Sequence, residues 1–382
     1  MINLAITSPS QTECPETFVQ SHVDNIHANV TYYYGDLIPR YVAGEGIFSM
    51  DNRHISDIKA WLHLVSNTNF FKLKFSNIGI KRYLFAKSLK QHHIDVVLAE
   101  YGTTGVEVYE ACRYANIPLV VHFHGRDCTA YDNIKTYGER YKKMFAYASS
   151  VIAVSHDMER RLVILGCPKE KIVYAPCTPD PEFASLNASL EKIQFCFCGR
   201  FTDKKAPYAT LLAFRKVLDK YPEAKLFMAG DGPLLNASKN IAKIIGAGGN
   251  VIFTGAITPA RYQQILLESR AYVQHSITAD DGAMEGTPVS VMEASAAGIP
   301  VISTFHAGIP DVIVDGETGL LCKELDVESM AVNMLRLASD KEFALCLGTA
   351  GKKRMAELFS KDWQMNVLTE TVEAASKRNN IL

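Results

Sequence analysis

The sequence is poor in most features that would mark a specialised class of protein. It carries no surplus of charge, with 40 Lys and Arg against 41 Asp and Glu for a net charge of -1 over 382 residues. No global field therefore draws it to nucleic acid. The charge is not uniform, with 19 basic and 17 acidic groups in residues 1–178 against 21 and 24 in the rest, so the first half is slightly basic. No apolar run reaches the roughly 18 residues that a membrane-spanning helix needs. The N-terminal residues enter a short apolar stretch without a basic region or a small-residue cleavage site, which argues against a secretory leader. Metal-site spacing is missing as well. The nine cysteines are odd in number and irregularly placed, mostly in apolar surroundings. They read as reduced, buried thiols of a cytoplasmic protein, Cys196 and Cys198 included. Neither tandem repeats nor low-complexity segments occur. With 48% hydrophobic and 21% charged residues, the chain is globular, and its length suits two domains.

What is present is a rhythm of short β-rich runs separated by helical patterns, the mark of parallel sheets covered on both faces. In the first half the runs fall at 2–7, 29–34, 94–99, 118–123, 150–154 and 172–175. A second series follows at 193–198, 225–229, 250–254, 271–274, 300–303 and 319–322. Between them residues 175–183 contain Pro176, Pro179 and Pro181, which interrupt regular structure and mark a hinge. The expected organisation is α/β: two doubly wound, Rossmann-like domains over 1–178 and 179–360. A terminal helix over 361–382 follows, and packing back on the first domain is one option for it. Ligands of such sheets bind beyond the carboxyl ends of the strands, here in the cleft between domains.

Four segments at strand ends carry polar chemistry. Around Glu285 and Glu293, Thr287 suits an N-cap, Pro288 a first helical position and Gly298 a helix end. A helix start offers free N–H groups to phosphate, and flanking carboxylates accept hydrogen bonds from sugar hydroxyls, so together they suit a nucleotide sugar. A capped surface helix with two solvated glutamates is the plainer alternative. Arg200, Lys204 and Lys205 follow the strand end at Gly199, placed to hold a diphosphate or merely to be solvated. Gly230 and Gly232 form a turn that allows close approach of backbone to a ligand, or only a tight βα turn. In the first half, His122, His124, Arg126 and Asp127 cluster where a strand ends. His122 and His124 share a face, so one could be a core histidine, and His124 is the better candidate for the cleft.

These motifs resemble those of the family-4 retaining glycosyltransferases with the GT-B fold. Glu285 and Glu293 match an E-x7-E signature, Gly199-Arg200 with Lys205 a G-R-x4-K motif, Gly230 to Pro233 a G-x-G-P turn, and Asp315 to Leu320 a D-G-x-x-G-L segment. The resemblance implies that Glu293 holds ribose hydroxyls, Glu285 the donor sugar, and Arg200 with Lys205 the diphosphate. Backbone at Gly286, Thr287, Pro288 and Val289 would meet the phosphate and sugar, and His124 would approach the sugar from the first domain. Two departures stand in this region: Lys205-Ala206 replaces the usual Lys-Gly, and His306 to Asp311 replaces a common Gly-Gly-x-x-Glu. A third leaves the first domain's acceptor side less defined, because residues 8–18 replace a Gly-Gly loop. Glu16, Thr17, Arg126 and Asp127 are the candidates there.

The activity so implied is transfer of a hexosyl unit, with retention, from a nucleotide sugar to a glycan or lipid-linked acceptor in polysaccharide or glycolipid synthesis. UDP-hexose is favoured as donor over GDP-mannose. No cofactor is expected and no metal, so Asp280 and Asp281 are not read as metal ligands. Another GT-B enzyme (a hydrolase, phosphorylase or epimerase) or a non-catalytic sugar-nucleotide binder is the alternative. A dehydrogenase is disfavoured, since no G-x-G-x-x-G follows the first strand. Residues 70–93 hold six Lys or Arg and no carboxylate, a composition suited either to an anionic membrane surface at the inner face or to an ordinary amphipathic helix.

Overall fold

The computed structural model describes residues 1–13, 16–49 and 79–378. The first part of the chain builds one sheet from β1 (Asn3–Thr7), β2 (Asn29–Tyr34), β3 (Tyr41–Val42), β4 (Gly46–Ile47), β5 (Val96–Glu100), β6 (Leu119–Phe123), β7 (Ser150–Ala153) and β8 (Ile172–Tyr174). Their order is β4-β3-β2-β1-β5-β6-β7-β8. Strands β2, β1, β5, β6, β7 and β8 run parallel, and β3 and β4 add an antiparallel edge. Every residue of β5 and β6 is buried, as continuous apolar runs require when helices cover both faces.

The second part forms a six-stranded parallel sheet, β9 (Gln194–Cys198), β10 (Lys225–Ala229), β11 (Val251–Gly255), β12 (Ala271–Val273), β13 (Val301–Thr304) and β14 (Gly319–Cys322), in the order β11-β10-β9-β12-β13-β14. All twelve anticipated runs are present, displaced by at most two residues. The β3–β4 hairpin was not anticipated, because two-residue strands have too little length to show a pattern. Strand order reverses direction beside β1/β5 in the first sheet and β9/β12 in the second, the places where such sheets open a crevice.

The linker differs in detail from the expectation that its prolines bar a helix. Pro181 opens the one-turn helix Pro181–Ala184, and Asp180 caps it by accepting the Glu182 N–H at 2.9 Å. Proline is tolerated there because the first helical N–H has no partner to lose. Beyond the second domain, the helix Lys361–Arg378 returns to the first. Its Met365, Leu368, Val372 and Ala375 pack with Leu4, Ile6 and Val96, and Thr369 accepts the His27 N–H at 3.2 Å. The chain thus crosses between domains twice.

Of the basic segment 70–93, residues 70–78 lie outside the described residues. The rest forms the helix Ile80–Gln91, with Phe85 and Leu89 buried. Arg82 pairs with Glu107 at 2.5 Å and Glu110 at 3.5 Å, and Lys90 lies over the Tyr114 ring at 5.6 Å. Two of its four cations are therefore engaged inside the domain. Among the described residues, no helix is long and apolar enough to cross a membrane.

Leu368 is fully buried in the seam between the terminal helix and the first sheet. Leu368→Ala should lower unfolding free energy by about 2–5 kcal/mol in urea titration. A loss below about 1 kcal/mol would show that the helix does not pack there.

Candidate active site

The second sheet's switch point is floored by backbone. Gly230 has φ +124°, and a Cβ there would lie 2.0 Å from the Gly199 carbonyl oxygen; at Gly232, with φ +152°, it would lie 2.6 Å from that of Phe201. Only glycine fits at either position. Gly199, Gly230 and Gly232 line a cavity of about 600 Å³ with Cys198, Arg200, Asp231, Ala256 and Ile257. Arg200 is exposed at its rim and makes no ion pair among the described residues. Cys198 is only half-buried and faces this cavity, unlike the buried Cys196.

Lys205 crosses Gly199, where a Cβ would stand 3.0 Å from its Cδ. Its Nζ lies 2.9 Å from Glu285 Oε1, while Lys204 Nζ lies 3.2 Å from Oε2. Burial alone would raise the Glu285 pKa, but the two lysines win and hold it at about 2. Gln274, at the end of β12, accepts from Lys205 at 3.3 Å and from the Tyr272 hydroxyl at 2.8 Å, so the lysine is oriented by the neighbouring strand. His306 Nε2 accepts the Glu285 N–H at 3.1 Å, and its Nδ1 faces Glu324 at 2.6 Å, which assigns the proton to Nδ1. Sequence reasoning saw His306 only as a departure from a pattern and missed Gln274 and Glu324, which nothing local distinguishes from other polar residues.

The helix beyond Glu285 runs Val289–Ala296, with Pro288 at its cap and no side-chain cap bond. Thr287 is therefore not the N-cap. Its hydroxyl donates instead to the Val154 carbonyl of the first domain at 2.6 Å. Glu293, one turn in, faces a second cavity of about 310 Å³ lined from both domains, the hinge and the terminal helix by Phe18, Asp180, Ile257, Tyr262, Val289 and Lys361 among others. Burial, and then the charge of Asp180, raise the Glu293 carboxyl to about 7.

The first-domain candidates fare unevenly. Thr17 lines the 310 Å³ cavity, whereas Glu16 stands exposed at the entry of the helix Thr17–Asn25 and does not. Asp127 is buried, and its carboxylate accepts the N–H groups of Gly102, His124 and Gly125 at 2.9, 3.1 and 2.9 Å. Its lone pairs are committed to shaping the strand ends, so it is not an acceptor contact. Arg126 bridges the domains, 2.6 Å from Asp281 and 2.9 Å from Asp132. The His124 ring does not point at the cleft as expected: Nε2 meets the buried Glu100 at 2.6 Å, and the Cys177 thiol bonds the ring too. Its main chain does meet the donor side, since a Cβ on Gly286 would lie 2.5 Å from the His124 carbonyl oxygen. Tyr131 N–H to the Asp281 carbonyl at 2.8 Å and Met284 N–H to the Thr129 hydroxyl at 3.1 Å complete this closed seam.

Two Rossmann-like domains closed over cations, a glycine-floored cavity and a helix start define a GT-B glycosyltransferase. Residues 180–354 match the family described as Glycosyl transferases group 1, and residues 46–183 match Glycosyltransferase Family 4. The chain belongs to the group 1 glycosyltransferases, of the family 4 type. It is 26% identical over 295 residues to the amylovoran biosynthesis glycosyltransferase AmsK of Erwinia amylovora, covering 76% of this chain and 72% of AmsK. A GDP-mannose-dependent alpha-(1-6)-phosphatidylinositol monomannoside mannosyltransferase of Mycolicibacterium smegmatis is 26% identical over 155 residues, 40% of this chain and 41% of that one. Among solved structures, Anabaena Alr3699/HepE in complex with UDP superposes with a TM-score of 0.77 at 14% identity, covering 98% of this chain and 100% of the other.

Glu285 also sets a stability term. Its pKa of about 2 lies below the ordinary 4.5, so the native state gains stability from it above pH 4.5 and loses it as pH falls toward 2. The magnitude is about 3 kcal/mol. Urea titrations from pH 6 to pH 3 should show this loss in the wild type and a flatter profile in Glu285→Gln; parallel profiles would refute it.

Proposed function

We propose that the protein transfers a hexosyl unit from a nucleoside-diphosphate sugar to a glycan or lipid-linked acceptor, with retention of anomeric configuration. A UDP-hexose is the favoured donor and GDP-mannose the second. Two adjoining cavities that share Cys198 and Ile257 carry this reading, the smaller lined by Glu293 and the larger bearing Arg200 on a glycine floor. A nucleoside in that space would offer ribose hydroxyls to Glu293 and its diphosphate to Arg200, Lys205 and the N–H groups at the start of Val289–Ala296. Glu285, backed by both lysines, would accept from hydroxyls of the sugar.

The acceptor hydroxyl attacks the anomeric carbon from the face the nucleotide leaves; the C–O bond to phosphate breaks, and the hydroxyl proton passes to the departing phosphate oxygen. The cations and helix start oppose the growing phosphate charge without a metal. The closed seam at 281–287 keeps water from the anomeric carbon, which favours transfer over hydrolysis. UDP in the Alr3699/HepE structure supports the uridine donor, and the AmsK name supports polysaccharide assembly. The mycolicibacterial relative keeps GDP-mannose as the second donor.

A thermal-shift screen of nucleoside diphosphates and their sugars, followed by NMR of the product anomer, tests this reading. Binding of no nucleotide sugar, or an inverted product, would refute it. Arg200→Ala should lower kcat/KM about 100-fold or more with an unchanged melting temperature, because the side chain is exposed and makes no ion pair among the described residues. Glu293 adds a pH signature. Its carboxylate accepts hydroxyls best when ionised, so affinity for UDP-glucose should rise as pH passes upward through about 7, with proton release. Calorimetry in buffers of different ionisation enthalpy reads this directly, and Glu293→Gln should abolish the dependence.

A further inference from the structure

The first sheet's switch point holds a second charged centre, which the transfer mechanism leaves unused. Glu100 ends β5, is fully buried, and offers one oxygen to His22 Nδ1 at 2.8 Å and the other to His124 Nε2 at 2.6 Å. His122 Nδ1 stands 3.5 Å from the latter oxygen. The rings form a column, His22 stacked on His122 at 5.2 Å and His122 against His124 at 4.2 Å. Phe18 covers its cavity end, 4.5 Å from His124. Tyr101, beside Glu100, is held at φ +71°, a strained backbone that persists only where its surroundings fix it.

Each arm of this centre leads to a part of the candidate site. His22 lies on the helix Thr17–Asn25, whose Thr17, Phe18 and Ser21 line the 310 Å³ cavity. His124 carries the main chain that abuts Gly286, and Cys177 bonds its ring from the hinge. We propose that Glu100 is a positioning residue for glycosyl transfer: its buried carboxylate clamps His124 as an imidazolium, so that the His124–Gly125 main chain is fixed against the donor loop. This inference rests on the glycosyltransferase reading. Glu100 receives no backbone N–H on its carboxylate among the described residues and meets two imidazoles, of which His124 makes the shorter contact, 2.6 Å against 2.8 Å for His22. Burial alone would lower the His124 pKa, but bonds to Cys177 and Glu100 raise it to about 10. His122, buried and beside that charge, is driven well below its ordinary range and stays neutral.

The groups facing His124 are His22 from the first helix, Glu100 and Tyr101 from the end of β5, His122 and Asp127 from β6 and its turn, and Cys177 from the hinge; the second domain presents main chain there. His22, Glu100 and His122 also lie within 4.8 Å of one another, as metal ligands could. Ligands on tetrahedral zinc, at about 2.1 Å from the ion, stand about 3.4 Å apart. The 2.8 and 2.6 Å contacts of Glu100 are shorter and suit shared protons.

Two measurements test the proposal. In wild-type protein labelled with ¹⁵N-histidine, the resonances lost in His124→Asn should be those of an imidazolium at pH 8, and in Glu100→Gln they should become neutral. With a donor the wild type turns over, Glu100→Gln should lower kcat about 100-fold, as misplacement of a site does, while UDP affinity stays within about twofold. A neutral His124 at pH 8, a kcat within about threefold of wild type, or one equivalent of bound zinc would each overturn the assignment. If no donor is turned over, the transferase reading fails on its own, and the NMR result still decides whether Glu100 clamps the imidazolium.

Discussion

A carboxylate enclosed by protein stays ionised only where cations or donated hydrogen bonds reach it, and around Glu285 two lysines meet that requirement and organise the second domain's site. Lys204 and Lys205 come from the loop after β9. Lys205 is held by Gln274 after β12, and Gln274 by Tyr272 within it. Glycine at 199 leaves the lysine room at the strand end, where a Cβ would stand 3.0 Å from its Cδ. Backbone, rotamer and charge are thus fixed together before any ligand arrives, which is the arrangement that costs no reorganisation during reaction. An entering diphosphate does not find a free lysine, and it must share Lys205 with Glu285.

Two glutamates on one short segment end in opposite states. Glu285 meets two ammonium groups and is held at about 2, while Glu293 meets burial and the Asp180 carboxylate and rises to about 7. Identical side chains thus serve as a permanent anion and as a group that can take or lose a proton near neutrality. The difference is made by the neighbours supplied from the β9 loop and the hinge.

The parallel sheets were legible because every run of Val, Ile, Leu and Phe long enough to cross a covered sheet shows as a run. The antiparallel edge was not, since its strands are two residues long. In the site, residues whose function lies in backbone geometry were read well, and Gly199, Gly230 and Gly232 do floor a cavity. Even the departures carry a trace: Ala206 and Ala307, where glycine is usual, adopt φ of +32° and +46°. Side-chain direction was read poorly. His124, Asp127, Arg126 and Thr287 stand at the expected strand and helix ends, but their polar atoms turn to Glu100, to backbone N–H groups, to Asp281 and to Val154. Of these partners Glu100, Gly102, Asp281 and Val154 lie between 24 and 155 residues away in the chain, beyond the reach of local pattern.

The return of the terminal helix to the first domain has a mechanical consequence. A single linker would leave the second domain free to swivel in any direction. Two strands of chain, one at 175–183 and one before Lys361, define a line, and a body tethered at two points can only swing about it. Such a motion conserves register: the seam that joins Asp281, Met284 and Thr287 to Arg126, Thr129 and Val154 can part and close again on the same partners. Such a body would swing as a door on two pins, and each closure would return the donor loop to the same place on the jamb.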